Sequence, residues 1–585
     1  MGATEIDQGR LARPDPGRVP LTGRSLSWPT SNSGAALLFL ASVLALLFFV
    51  ALPLGGIAWQ SFRGVDGSYT LANYAAFFSS NRLYQATLNT LLVSTLAAVG
   101  GILIATPLAF GVTRTNMRGK QLVYIAIVIS FASPGFLMTL AYILLAGPNE
   151  GLANLFLRTV FNLEMTRGPL NILSVWGFAF LTVPGAAALA FLIMVPAFQN
   201  MDLALEEASR IAGVGPIATI FKITLPIMRA SMLAGALLAF STTLADFATP
   251  YLLGVDVLTV SMQAAILSAD FGMAATLAAI SASMSLLVLF LYRRSISAGL
   301  RYRTIAGRGM RAGNLDLGWA RHFFTLLGFL YAMLGAILPS ILLVLISFMD
   351  LIRNGFWPSN FTLQHYEFIF GNQMVLDALQ NSLILGVAAA TIIALLGFLL
   401  AYFITRTTVP GRALVDYLSV LPLGIAGVAF GVGAVVINLE TPLRNLALYG
   451  TVWILLFGYI GRYIPFGVRA AQVALLQLSA EMEEASRVAG RGQLATLWRI
   501  SIPLVRPALV YAWIFGFVQA FAEVSVSSVL TVSQNPVTAT ALLSLYYSQQ
   551  GLQRACAVGV VMFIITMSLV AIAQRIGGRN VYAET

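Results

Sequence analysis

EEASRIAG (Glu206–Gly213) and EEASRVAG (Glu483–Gly490) are nearly the same phrase, written twice at a distance of 277 residues. Both are polar islands in a very apolar chain. Of its 585 residues, 58% are hydrophobic and only 10% are charged, against about 25% charged in an ordinary soluble chain. The surroundings of the two phrases therefore decide the class. Ala35–Trp59 is apolar apart from Ser42, Gln60 ending it, and a few small residues. It exceeds the ~20 residues that cross a bilayer core. It is too long for a signal-peptide core, and no small-residue cleavage site follows.

Twelve such spans are read, at about 35–60, 86–112, 121–146, 173–198, 229–252, 273–292, 322–348, 378–404, 416–438, 450–473, 505–531 and 555–574. Residues 1–33, rich in Arg, Pro, Gly and Ser, are expected to be a disordered tail. The tail, the even-numbered loops and the C-terminus hold 26 of the 34 basic residues, and the other side holds seven. The positive-inside rule then puts both termini and both EEASR loops in the cytoplasm. The net charge of +11 is accounted for by this topology rather than by nucleic acid. The Arg-rich segment before span 7 is read as a topology determinant rather than a binding site for anionic lipid.

The phrase belongs to a larger duplication. TLANY (70–74) matches TLQHY (362–366) at an offset of 292, and Thr113-Arg114-Thr115 matches Thr405-Arg406-Thr407. Past span 3 the offset drops to 277, because residues 147–171 form a longer external loop in the first half. The expected organisation is a tail (1–33), a first half (34–293), a cytoplasmic linker (294–321) and a second half (322–585). Each half has six spans, so the halves share one orientation, as in parallel-repeat transporters. Pro134-Gly135 and Ala426-Gly427 match at offset 292. They predict breaks in spans 3 and 9, with the larger bend at the proline.

Each phrase extends through Gly213 or Gly490 to Ile-Thr-Leu-Pro (223–226) or Ile-Ser-Ile-Pro (500–503). The pattern reads as helix, glycine turn, short amphipathic helix and a terminating proline. It resembles the EAA loop of bacterial ABC-importer permeases: E-A-A, three residues, Gly, nine residues, I-x-L-P. Ser209 and Ser486 replace the third residue, and Ile502 replaces Leu. The resemblance covers about 500 residues. It implies an all-α membrane protein of twelve transmembrane helices, with the type I importer permease fold, in the bacterial inner membrane. It also implies that Glu207, Ala208, Gly213, Pro226, Glu484, Ala485, Gly490 and Pro503 couple the chain to two copies of an ABC ATPase subunit. A periplasmic or lipid-anchored solute-binding protein would deliver substrate, and membrane lipid is the remaining partner.

No Gly-Lys-Ser/Thr loop occurs at Lys120 or Lys222, so the chain is not expected to hydrolyse ATP. No cofactor is expected. One cysteine and two separated histidines make neither a disulfide framework nor a Cys/His metal site. His322 and His365 are read as isolated interfacial side chains.

Runs such as LADFATP (244–250) and GRYIPFGVRAAQ (461–472) resemble the ferric-iron permeases. Related groups handle thiamine, aminoalkylphosphonates or sugar phosphates. Asp246 and Glu523 match at offset 277 and are placed inside spans 5 and 11, with Arg462 inside span 10. Embedded ionisable groups are costly and face a cavity or a partner. These three are candidates for a pathway or gate near the axis between the halves, or else for packing. Paired acids favour a cation as cargo, although no firm metal site is read. An ion-coupled secondary transporter is the competing class, and the paired EAA loops argue against it.

Overall fold

A computed structural model describes residues 33–300, 318–350 and 358–576, apart from 65, 150, 163–166, 200, 202–203, 408, 441, 480 and 549–550. The tail at 1–32 and most of the linker lie outside the described residues. Within them the chain is helical, and its only β pairing is two isolated bridges.

Nine described helices are long and apolar enough to cross a membrane: Ala36–Ser61 (span 1), Asn81–Arg114 (2), Val175–Gln199 (4), Ile220–Leu244 (5), Phe271–Val288 (6), Gly318–Phe348 (7), Gln373–Arg406 (8), Gln493–Phe521 (11) and Gly551–Ile572 (12). Spans 3 and 9 are bent pairs: Lys120–Ala132 with Gly135–Ala146, and Arg412–Gly424 with Gly427–Leu439. Span 10, Val452–Gln477, has the length at 26 residues, and Arg462 and Arg469 lower its hydropathy. The twelve expected spans are thus all helical, in the expected order.

The breaks fall where the matched pairs put them, but the order of the bends is reversed. Span 3 bends by 103° and span 9 by 114°. A proline at the break is not what sets the angle. In span 9 the first arm ends in a tight 3-10 turn, Leu421–Gly424, and Arg462 takes up the carbonyls of Pro422 within it and of Ile425 just after it. With those carbonyls satisfied, the chain turns sharply without a proline at the break.

The first span of each half packs against the other half. Leu46 and Val50 of span 1 share a core with Phe398, Ile464, Val468 and Val505 of spans 8, 10 and 11. Phe39 meets Phe403 at 4.4 Å, and Phe48 meets Phe457 at 5.1 Å. Span 7 returns the exchange: Phe324 meets Phe110 at 5.9 Å, and the Tyr331 hydroxyl donates to the Pro184 carbonyl at 3.0 Å. Each exchanged span carries one wide helical turn, Leu47–Ala51 or Met333–Ile337, directly before a Leu-Pro step. Proline has no N–H to give its preceding turn, and the wider turn absorbs the lost bond. These turns are the joints between the halves. Gly461 of span 10 lies against the Phe49 carbonyl, and Gly335 of span 7 lies against Pro184. Pro184 and Gly461 match at offset 277.

The long loop after span 3 is held by one buried residue. Asn154, on the helix Leu152–Phe161, donates to the Gly147 and Leu170 carbonyls at 2.8 Å each and accepts from the Leu170 N–H at 2.9 Å. His365 is also buried rather than interfacial: its Nε2 is 2.9 Å from the Met349 carbonyl. Its match in the first half, Asn73, donates to the Arg63 carbonyl at 2.9 Å.

A methyl group on Gly461 would run into the Phe49 carbonyl, whereas one on Gly185 meets open space. Gly461→Ala is therefore expected to lower stability by ~1–3 kcal/mol through overpacking, and Gly185→Ala to leave it unchanged or raise it slightly. Thermal melts of the detergent-solubilised protein check the contrast. Equal melting points for the two variants would contradict the joint.

Candidate functional site

The two EEASR segments fold into hairpins of the same construction. In the first, the helix Ala204–Ile211 ends at Gly213, which has φ of +76°; a short helix Pro216–Thr219 and a wide turn Ile220–Thr224 then run into Leu225–Leu244. In the second, Glu481–Val488 ends at Gly490 with φ of +79°, and Gln493–Thr496 and Leu497–Ser501 run into Ile502–Phe521. The left-handed backbone at both glycines is the conformation that a side chain strains. Pro226 and Pro503 do not terminate a helix, as the sequence pattern suggests. They sit in the first turn of the long helix, directly after the wide turn, where the missing N–H is tolerated.

The arms are tied by side chains at matched positions. Ser209 meets Thr219, oxygen to oxygen, at 2.8 Å, and Ser486 meets Thr496 at 2.9 Å. The third-position serines that depart from the E-A-A pattern thus close each hairpin. Deeper in, the Thr224 hydroxyl donates to Glu206 Oε1 at 3.0 Å, and the Ser501 hydroxyl donates to Glu483 Oε1 at 2.9 Å. Both glutamates are buried. Glu483 also lies 3.7 Å from Arg406 Nε, and Arg406 donates to the Leu475 and Leu478 carbonyls at 2.8 Å each. The matching Arg114 donates to the Met201 carbonyl. So the first acid of each Glu-Glu pair is structural. The second faces differently: Glu484 is half-buried, and the Glu207 side chain lies outside the described ones.

What remains on the outside is apolar. Ile211 and Val488 are 89% and 90% exposed, and Phe221 and Trp498 are 66% and 61% exposed. Each pair matches at offset 277. Ala208, Gly213, Pro226, Ala485, Gly490 and Pro503 are exposed beside them. Single exposed apolar residues are ordinary. A matched pair on each of two separate hairpins, held there by buried clips, makes two copies of one apolar patch. Periodicity alone missed Ile211, Val488, Phe221 and Trp498, although the offset that links the hairpins also pairs them.

Asp246 and Glu523 are placed differently from expectation. The long helices end at Leu244 and Phe521, so both acids lie just past the helix ends. Each accepts a backbone N–H three residues on, Asp246 Oδ1 from Thr249 at 3.4 Å and Glu523 Oε1 from Val526 at 2.7 Å. They hold the turns that lead into the short helices Ala248–Leu253 and Ser527–Leu530. These bonds are made within their own halves. Arg462 donates to the Pro422 carbonyl at 2.8 Å and to the Ile425 carbonyl, and it is an electrostatic partner of Glu523. Among the described residues no three His, Cys, Asp or Glu side chains group as metal ligands.

Residues 97–297 match the family model of the binding-protein-dependent transport system inner membrane component. The chain carries a binding-protein-dependent permease domain. Over nearly its whole length the chain is similar to the ferric transport system permease protein FbpB of Actinobacillus pleuropneumoniae, at 26% identity over 542 residues, covering 91% of this chain and 76% of that protein. A putative ferric transport system permease protein of Haemophilus influenzae is 25% identical over 526 residues, with 88% and 80% covered. A putative 2-aminoethylphosphonate transport system permease protein of Salmonella typhimurium is 29% identical over 260 residues, covering 44% of this chain and 89% of its own. A chain of a bacterial ABC transporter involved in alginate import shares 19% identity at a TM-score of 0.37, over 44% of this chain and 96% of its own.

Glu483→Ala removes the acceptor of Ser501 and the counter-charge of Arg406. An unpaired buried group costs ~1–3 kcal/mol, so amide exchange across 481–501 is expected to quicken about 10-fold or more, with 204–224 unchanged. Exchange measured by mass spectrometry checks this. A uniform change over both hairpins would contradict independent clips.

Proposed function

We propose that this permease is the membrane path of a binding-protein-dependent ABC importer for ferric iron, driven by two copies of a separate ATPase subunit. The carrying observation is the pair of matched hairpins. Each presents an apolar residue at a matched position and about nine-tenths exposed, Ile211 or Val488, at the end of a clipped helix. A surface made twice with one geometry suits a partner that is itself present twice. The Arg-rich loops on the hairpin side orient it toward the cytoplasm, and both termini lie on that side. No ATP-binding loop occurs in the chain, so its energy comes from the docked subunits. A binding protein on the opposite face hands over the cargo.

Two things support iron as the cargo. The ferric permeases resemble the chain across both halves, whereas the aminoethylphosphonate permease corresponds to 44% of it. The acids Asp246 and Glu523 also stand at matched places beside the breaks in spans 3 and 9, and carboxylates suit hard cations.

Mechanistically, closure of the ATPases pulls the hairpins together. Each hairpin continues without a gap into span 5 or 11, so its movement reaches the membrane as a rotation of that helix. The exchanged spans 1 and 7 keep the halves joined while they rock.

Ile211→Asp with Val488→Asp places two charges where apolar contacts belong. With ~1.5–3 kcal/mol lost per buried side chain, co-purification of the ATPase should fall at least about tenfold, and Glu207→Lys with Glu484→Lys should act in the same direction. Uptake of radioactive iron by vesicles supplied with the cognate binding protein should fall with it. Undiminished association and uptake in these variants would refute the docking role. Uptake of 2-aminoethylphosphonate in place of iron by the unaltered protein would refute the cargo.

A further inference from the structure

The two helix breaks are matched in position but not in charge. In the second half, Arg462 reaches into the break of span 9 and donates to the carbonyls of Pro422 and Ile425. Glu523 stands at the other side of the same break, with Oε1 beside Gly427, and is the electrostatic partner of Arg462. A built-in cation, two carbonyls and a carboxylate make a neutral set.

The first half repeats every part of this set except the cation. Pro422 and Ile425 match Ser130 and Ser133 at offset 292, and Glu523 matches Asp246 at offset 277. Arg462 matches Gly185, and a Cβ added there would meet nothing within 4 Å. The carbonyl of Ser130 would be served within its helix by residue 134, which is a proline and has no N–H. Ser133 is 6% exposed, and its buried hydroxyl has no hydrogen-bond partner. Its backbone N–H is used, donating to the Ile129 carbonyl at 2.8 Å, so the hydroxyl alone is left over. Asp246 accepts from the Thr249 N–H at 3.4 Å, the Thr249 hydroxyl and the Phe247 and Ala248 N–H groups also bear on its carboxylate, and Thr249 lies next to Gly135 at the break. Span 7 closes one side: Ser130 Oγ donates to the Gly335 carbonyl at 2.6 Å, and Tyr331 donates to Pro184. The first half therefore has oxygen atoms, a negative charge and open space at the place where the second half holds a guanidinium.

We propose that the break in span 3 binds one small metal cation through oxygen, using the Ser133 hydroxyl, the Ser130 and Ser133 carbonyls and the Asp246 carboxylate. One carboxylate among neutral oxygens is a set for a hard monovalent or divalent ion. Helix ends with exposed carbonyls serve this role in other transporters with broken spans. The site stands whatever cargo the permease carries.

The test uses the purified full chain in lipid nanodiscs, melted in choline chloride, sodium chloride or magnesium chloride at matched ionic strength. The expected result is a melting point that rises and saturates with one of the two metal salts and not with choline; which salt does so separates a monovalent from a divalent ligand. Ser133→Ala and Asp246→Asn should each weaken the apparent affinity by about tenfold or more, as loss of a ligand to a charge does. Gly185→Arg supplies the second half's guanidinium, so it should melt higher without added metal and show no further rise. If Asp246→Asn fails to fold, Ser133→Ala and Gly185→Arg decide. No salt-specific rise in the unaltered protein, or a Gly185→Arg variant that titrates like it, overturns the proposal. The assay contains no ATPase, binding protein or cargo, so its failure leaves the import reading standing.

Discussion

A buried carboxylate held by a hydroxyl at the root of each hairpin is the constraint on which this molecule turns. Glu206 with Thr224 and Glu483 with Ser501 fix the short hairpin helix against the start of the long helix that follows. Burying a carboxylate is costly unless its oxygens are met. Oε1 of each is met by the hydroxyl, and that bond sets one arm against the other. The serine–threonine contacts above it, and the left-handed glycines at the tip, then leave a single face turned outward. Without the clip, an eight-residue helix with few apolar contacts would be marginal. Ile211 and Val488 would lose their fixed aim.

Much of this was legible in the sequence because it is written twice. A duplicated offset pairs residues that no periodicity pairs, and it located the hairpins and the two breaks, while apolar runs located the twelve spans. The exchange of spans 1 and 7 was not legible. Their apolar runs say only that they are buried in lipid or protein, and nothing in a run of Leu and Phe says which half it will meet. The wide turns beside Pro53, Pro226, Pro339 and Pro503 were also missed, because a proline after an apolar run reads equally well as an end or as a shift in register. The two acids were placed inside spans 5 and 11 since hydropathy averages over neighbours. The helices in fact stop two residues before them, and each acid serves the next turn. His365 looked interfacial because a lone histidine carries no pattern, and only its contact with the Met349 carbonyl shows its role.

The duplication is informative where it fails. Arg462 corresponds to Gly185, Tyr331 of span 7 corresponds to Ala45 of span 1 at the spacing of the wide turns, and the helix 152–161 has a short 3-10 turn, Pro442–Leu446, as its counterpart. The features on the hairpin side are nearly identical in the two halves, while the helix breaks and the opposite face differ. A symmetric motor needs matched sockets, whereas a single cargo ion or molecule has no reason to meet two identical walls.

The stoichiometry of the intact complex tests this division most directly. Native mass spectrometry of the permease, purified from membranes together with its ATPase, should show two ATPase copies for each 585-residue chain. A single copy per chain, with both hairpins intact, would contradict the claim that the two hairpins are equivalent sockets.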